Sequence, residues 1–323
     1  MKPQRRQFLR LAAGASAAAA LPRVAWALDY PTRPVRIVVP YPAGIAPDIV
    51  ARLIGQSLSQ QFKQQFIVDN RPGGASNVGT SIVAHAPPDG YTLLVVTTTN
   101  AINASLYDSL DFDFTRDIAP VAGLVRLPLV LVIHPSVPAR TLPEFIAYAK
   151  ANPGKINYAS VGSGAATNVA GELFKEMAGI DLVNVPYRSN YLPDLIGGQV
   201  QASFPPIVQS IEYIKTGKLR ALALTGATRS DLLPGVPAAA EFVPGYEAYV
   251  WDALGAPAKT PVEIIEALNK TINAVLTDPA MKSRFAALGA EPMLMTPPEF
   301  GSYIAAETEK WGKVVKAAHI KVE

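Results

Sequence analysis

The sequence predicts an α/β protein of two lobes, each a mixed, mostly parallel sheet flanked by helices, with a hinge and a central cleft between them. Three observations predict it. Short β-branched runs alternate with stretches of helical periodicity, the pattern of parallel strands joined by crossover helices. A unit of strand, glycine-bearing loop, helix and second strand occurs twice in the same order, at residues 35–68 and 156–185. The chain then ends on helical periodicity alone.

Val35 to Val39 is a continuous apolar run between Pro34 and Pro40, followed by a Pro/Gly loop and by Ile49, Val50, Leu53, Ile54 and Leu58 at helical spacing. Phe66 to Val68 reads as the next strand, Val78 to Ala84 as a helix, and Tyr91 to Thr97 as a strand entered through the turn Pro87-Pro88-Asp89-Gly90. Leu127 to Ile133 reads as one apolar strand, and Thr141-Leu142-Pro143-Glu144 opens a helix with a capping-box pattern. The second unit is strand Ile156 to Ser160, loop Val161 to Ala166, helix Thr167 to Ala178 and strand Leu182 to Val185, with Ala221 to Thr225 as a further buried-type strand. Pro261 to Leu276 and Pro298 to Val315 are helical, each proline suited to a first turn. A terminal helical segment of this kind packs back on the first domain, so lobe one is expected at 28–126 plus 250–323 and lobe two at 127–249. Two chain crossings then make the hinge.

Residues 1–27 read as an export signal. Arg5-Arg6-Gln7-Phe8-Leu9-Arg10 precedes an Ala-rich run from Leu11 to Leu21 and the small-x-small site Ala25-Trp26-Ala27. The paired arginines before Phe8 and Leu9 fit the twin-arginine route, with cleavage after Ala27 and the periplasm as destination. The apolar run of about 11 residues would rise only about 17 Å as a helix, too little to span a bilayer. The leader holds Lys2, Arg5, Arg6, Arg10 and Arg23 and no acid, so without it Lys+Arg falls from 29 to 24 against 26 Asp+Glu, and net charge moves from +3 to −2. The remaining chain lacks the basic excess of a nucleic-acid binder. With no cysteine there is no disulfide, thiolate metal site or lipid attachment through sulfur.

The loop Pro42-Ala43-Gly44-Ile45-Ala46-Pro47-Asp48 ends a strand and opens a helix, so its N–H groups and the positive end of the helix dipole face the crevice at the strand ends. Ser160-Val161-Gly162-Ser163-Gly164-Ala165-Ala166-Thr167-Asn168 repeats the arrangement in the second lobe. Two anion-ready helix ends, one per lobe, would hold a carboxylate without an obligatory arginine. Asp48 has two readings, an anchor at the helix start and a direct ligand contact.

Other chemistries lack their residues. After Gly162-Ser163-Gly164 the third glycine of a dinucleotide loop is replaced by Thr167, and the acid due after the next strand is absent from Asn184-Val185-Pro186-Tyr187-Arg188. His85, His134 and His319 lie in unpromising settings, no Gly-x-Ser-x-Gly elbow occurs beyond the leader, and no metal-ligand spacing occurs, so neither an enzyme role nor a metal or cofactor is expected.

The chain resembles the Bug-type receptors of tripartite tricarboxylate transporters over nearly its whole length beyond the leader. The likeness is carried by Tyr30-Pro31-Thr32-Arg33-Pro34, Asp69-Asn70-Arg71-Pro72-Gly73-Gly74, Ala86-Pro87-Pro88-Asp89-Gly90-Tyr91, Asn100-Ala101-Ile102-Asn103, Val185-Pro186-Tyr187 and Gly217-Lys218-Leu219-Arg220 in that order. The resemblance implies a type II periplasmic-binding-protein-like fold closing over an organic carboxylate, a two-component membrane permease as partner, and action as a monomer. A receptor that presents its ligand to a membrane signalling protein would share the same residues, and a hydrolase or lyase would need a nucleophile that is missing. The implied pocket comprises Gly44, Ile45, Ala46 and Asp48; Thr98 and Asn100; Ser160, Gly162, Ser163, Gly164, Ala165, Ala166, Thr167 and Asn168; and Tyr187 and Arg188. Phe204 joins them as an apolar wall.

Departures from relatives bear on the ligand. Relatives commonly show Gly-Gly-x-x-Asp where this chain has Gly44-Ile45-Ala46-Pro47-Asp48, and many carry an acid where Pro205 follows Phe204. The expectation is a dicarboxylate or aromatic carboxylate, packed by Ile45, Tyr187 and Phe204, with Arg188 available to a second carboxylate and no obvious partner for an ammonium.

Overall fold

β-branched and apolar residues that must be buried on both faces form the first strand, β1 (Val35–Val39), in the computed structural model, which describes residues 29–187 and 190–322. The predicted leader and Arg188 lie outside the described residues. Helix α1 (Ala46–Phe62) leads to β2 (Phe66–Asn70), then α2 (Asn77–Ala84), β3 (Thr92–Thr97), α3 (Thr98–Leu106), the short α4 (Phe114–Asp117) and β4 (Ile118–Pro128). The second region holds β5 (Val130–Ile133), α5 (Leu142–Ala151), β6 (Asn157–Ser160), α6 (Ala166–Ala178), β7 (Val183–Pro186), α7 (Leu192–Ile196), β8 (Ala202–Ser203), α8 (Ile207–Lys215) and β9 (Arg220–Leu224). The chain closes with β10 (Tyr249–Pro257), α9 (Val262–Thr277), α10 (Pro279–Ala287), β11 (Glu291–Pro292) and α11 (Pro297–Ala317).

The strands fall into two sheets, ordered β11-β4-β10-β3-β1-β2 and β7-β6-β8-β5-β9. The first therefore mixes strands from both ends of the chain, and the C-terminal helices flank it. Both sheets are more evenly mixed than expected. β1 pairs in parallel with β2 and β3, but β10 runs antiparallel to β3 and β4, and β5 antiparallel to β8 and β9.

The apolar run read as one strand at 127–133 is two strands in different sheets, broken at Leu129. Hydropathy gave no sign of the break because Leu129 is itself buried. This is where the chain leaves the first sheet, and a threonine ties the crossing. Thr225 Oγ1 accepts from Leu129 N at 2.8 Å and reaches Ala248 O at 2.6 Å, while Thr225 N donates to Leu129 O and Ala248 N to Thr225 O, each at 2.9 Å. Outgoing and returning segments thus share one hydrogen-bonded knot.

Buried apolar clusters lie against both sheets, and the largest runs from Val38 and Leu94 through Trp251, Phe300 and Trp311 to Phe145, Phe174 and Tyr246. Within it the ring nitrogens of Trp251 and Trp311 both donate to Glu307 Oε2, at 2.9 and 2.8 Å, which fixes α11 against β10. A buried carboxylate with two such donors and an ion pair to Lys310 is well satisfied. No helix among the described residues is long and apolar enough to cross a membrane.

Candidate functional site

The loops that open α1 and α6 have the same local construction. Gly44 sits at φ +88° and Gly164 at φ +77°, a region in which a side chain is strained. In each loop the glycine N–H is held by the side chain four residues on: Gly44 N donates to Asp48 Oδ2 at 2.8 Å, and Gly164 N to Asn168 Oδ1 at 2.9 Å. The next residue, Ile45 or Ala165, is the extended N-cap, and neither caps its helix with a side chain. Its carbonyl accepts from Asp48 and Ile49 in one lobe and from Asn168 and Val169 in the other. The first-turn N–H groups and the dipole therefore point outward without a capping side chain.

Both helix ends line one cavity of about 500 Å³. Lobe one contributes Ile45, Ala46, Pro47, Thr98 and Asn103, and lobe two Val161, Ser163, Gly164, Ala165, Ala166 and Thr167. The lobes approach closely at its edge, where Leu106 of α3 abuts Gly164 and a Cβ on that glycine would collide with the leucine.

Of the residues singled out in the sequence, Ile45, Ala46, Thr98, Ser163, Gly164, Ala165, Ala166 and Thr167 stand on the cavity wall. The other expected contacts lie behind it. Asp48 is 2% exposed and fully engaged: besides Gly44 it accepts from Arg52 Nε at 3.0 Å and Nη2 at 2.9 Å and from Asn70 Nδ2 at 2.9 Å. Burial alone would raise its pKa, but the bonds from Arg52, Gly44 and Asn70 outweigh burial and hold the carboxyl below the usual range. Asn168 is likewise buried, its amide donating to Tyr158 Oη at 2.9 Å. Gly44 and Gly162 shape the loops without lining the wall, and Ser160 Oγ is turned to Asn184 Oδ1 at 2.8 Å. Asn100 secures the turn from β3 to α3, accepting from Thr97 N at 2.8 Å and donating to Thr80 Oγ1 at 2.7 Å.

Two aromatic assignments are corrected. Phe204 is 0% exposed inside the core, between the rings of Tyr158 and Phe174. Tyr187 stands off the cavity wall, its hydroxyl donating to Asp194 at 2.8 Å. Apolar contact in the cavity comes from Leu106, Val161 and Val250, with Tyr41, Tyr107 and Tyr191 as the aromatic faces.

The sequence reading also missed Asp252, Gln209 and Asn103 as cavity residues. Asp252 had a visible signal, a lone acid in the apolar run Tyr249-Val250-Trp251-Asp252-Ala253-Leu254. Burial pushes its carboxyl up to about 7. No cluster of His, Asp or Glu suited to a metal occurs among the described residues.

Comparison with known proteins matches residues 50–320 to the tripartite tricarboxylate transporter family receptor. The chain is 35% identical to Protein BugT of Bordetella pertussis, over 91% of this chain and 92% of that one. It is similar to the solved structure of R. palustris Rpa4515 with adipate, at TM-score 0.79 and 36% identity, covering 91% of this chain and all of the other. MatC (Rpa3494) from Rhodopseudomonas palustris with bound malate is similar at TM-score 0.74 and 29% identity, over 88% of this chain and 100% of that one. With paired helix ends on one cleft and these likenesses along nearly its whole length, the chain belongs to the receptor family of the tripartite tricarboxylate transporters.

Proposed function

We propose that this receptor works in the periplasm, where it closes its two lobes over one small organic carboxylate and delivers it unaltered to the two membrane components of a transporter. The observation that carries the reading is the pair of side-chain-uncapped helix N-termini, one from each lobe, on a single cavity of about 500 Å³. The first turn of α6 presents the N–H groups of Ala166 and Thr167 and that of α1 the N–H of Ala46, Pro47 having none, and these and the positive dipole ends strengthen as closure removes water. The apolar side chains between them suit a carbon skeleton, and the adipate and malate of the two related structures are small acids of that kind. The export signal at residues 1–27, cleaved after Ala27, and action as a monomer belong to the same proposal. The paired arginines, apolar run and small-x-small site support the first.

A thermal-shift screen of dicarboxylates, aromatic acids, keto acids and amino acids tests it. A carboxylate present at about 100 times its dissociation constant adds about 2.7 kcal/mol to stability. A clear response to sugars or cations with none to carboxylates refutes the ligand class, and turnover of a carboxylate by the purified protein refutes the receptor role.

A further inference from the structure

Lobe one brings to the cavity a carboxyl group that the fold itself does not use. Asp252 is 1% exposed and is one of the residues that line the cavity, and neither of its carboxyl oxygens has a hydrogen-bond partner among the described residues. Its position is firmly set. β10 lies between β3 and β4, with Thr97 and Val125 opposite Asp252. Trp251 is held by Glu307, while Val250 and Asp252, two apart and so on the other face, both line the cavity.

A second unused group on lobe one has the same polarity. Asn103 also lines the cavity, and its amide nitrogen donates to Ala75 O at 2.7 Å and Asn77 Oδ1 at 2.9 Å. Those bonds fix the amide orientation, and Asn103 Oδ1 is the atom left without a partner among the described residues. Both residues offer acceptors, but Asn77 Nδ2 beside Asn103 is itself an unpaired donor, so the need for a donor from the ligand arises at Asp252. A ligand carboxylate placed against Asp252 would meet like charge, whereas a ligand donor there would satisfy a buried group that is costly to leave unpaired.

We propose that Asp252 is a specificity-determining residue that accepts a hydrogen bond from a donor carried by the ligand away from the carboxylate held at the helix ends. The receptor then selects carboxylates bearing a hydroxyl, an ammonium or a protonated second carboxyl over plain monocarboxylates. The inference rests on the carboxylate reading above and corrects the expectation that an ammonium finds no partner. The three donor sources differ in their protons. Hydroxyl and ammonium donors need Asp252 ionised and bind better toward pH 8, whereas a dicarboxylate shares one proton with Asp252 and binds better toward pH 6. The raised carboxyl, at about 7, places the change between those values. The other titratable side chains on the described cavity wall are the phenols of Tyr41, Tyr107 and Tyr191, and burial raises those of Tyr41 and Tyr191. Tyr41 is the one facing Asp252 most directly.

The test is titration calorimetry of the whole receptor with hexanoate, ω-hydroxyhexanoate, ω-aminohexanoate and adipate, a set matched to the adipate length and differing at one end. Wild type should bind at least one donor-bearing member about tenfold tighter than hexanoate, the worth of a well-made buried hydrogen bond. Asp252→Leu should erase that preference and hold hexanoate as tightly as wild type or tighter, which also shows that it folds, while Asp252→Asn, which keeps an acceptor oxygen but cannot ionise, should lose the change in preference between pH 6 and pH 8. If hexanoate binds wild type as well as every donor-bearing acid, or if Asp252→Leu keeps the preference, Asp252 is not the selector and the carboxylate reading stands. If no carboxylate binds wild type, both fall.

Discussion

The two helix ends are built alike and supported differently. In lobe one the residue that holds the loop glycine is a carboxylate, Asp48, which Arg52 and Asn70 in turn hold. In lobe two it is a neutral amide, Asn168, backed by Tyr158, whose hydroxyl donates to Glu172 at 2.5 Å. The first turn of α1 contains Pro47, which has no N–H to give, whereas the equivalent position in α6 is Thr167. Lobe one also carries Asp252 on the cavity wall, and the described lining of lobe two carries no acid. The difference teaches that the cleft is polarised. A carboxylate already sits at the dipole end in lobe one, so on the proposed carboxylate reading lobe two pulls more strongly on a ligand anion, while lobe one supplies acceptors and apolar surface.

The largest expected effect tests whether lobe two is the anion side. Gly164→Val forces a branched side chain into φ +77° and against Leu106, holding the lobes apart. It should weaken carboxylate binding at least 100-fold, about 3 kcal/mol, while circular dichroism shows a folded protein; affinity within threefold of wild type would remove this loop from the site.

Next comes the unpaired acid of lobe one. Because the folded carboxyl of Asp252 lies above its ordinary value, folding takes up a proton. The penalty is absent below the normal carboxylate range and grows as pH rises toward about 7. Asp252→Asn should therefore stabilise the ligand-free protein by about 2 kcal/mol at pH 8, after the cost of the amide's own unmet hydrogen bonds, and by little or nothing at pH 4. Equal effects at both pH values, read by chemical denaturation, would mean that Asp252 is not buried as an unpaired ion.

Exchanging the two glycine holders gives smaller effects of opposite sign. Asn168→Asp puts a carboxylate at the α6 dipole end and should weaken anion binding about tenfold. Asp48→Asn keeps an acceptor for Gly44 but removes the charge from α1, and should strengthen carboxylate binding about threefold while costing about 2 kcal/mol of stability, since its amide nitrogen then faces the donors of Asn70 and Arg52. If Asn168→Asp is silent and Asp48→Asn abolishes binding, the polarity is reversed.

Both glycine loops were legible in the sequence because each lies between a β-branched run and a helical one, and turn chemistry is local. The cavity walls were not, because Val250 and Asp252 reach them through pairing of β10 with β3, strands about 150 residues apart in sequence. Phe204 misled for the related reason that an aromatic at a strand end can face either side. The pairing of β8 with β5 and β6 turns it into the core. The break at Leu129 was invisible because a buried crossing has the same hydropathy as the strands it joins. Asp48 was read both ways, and its environment of Arg52, Asn70 and Gly44 decides for the anchor.

The knot at Thr225 has a mechanical consequence. Two separate connections would let the halves splay and shear, whereas strands bound side by side at their crossing act as a single pin and leave one easy rotation. In the proposed closure this pin would return Gly44 and Gly164 to the same registration at each swing, and the hydroxyl of Thr225 would set the repeatability of the bite.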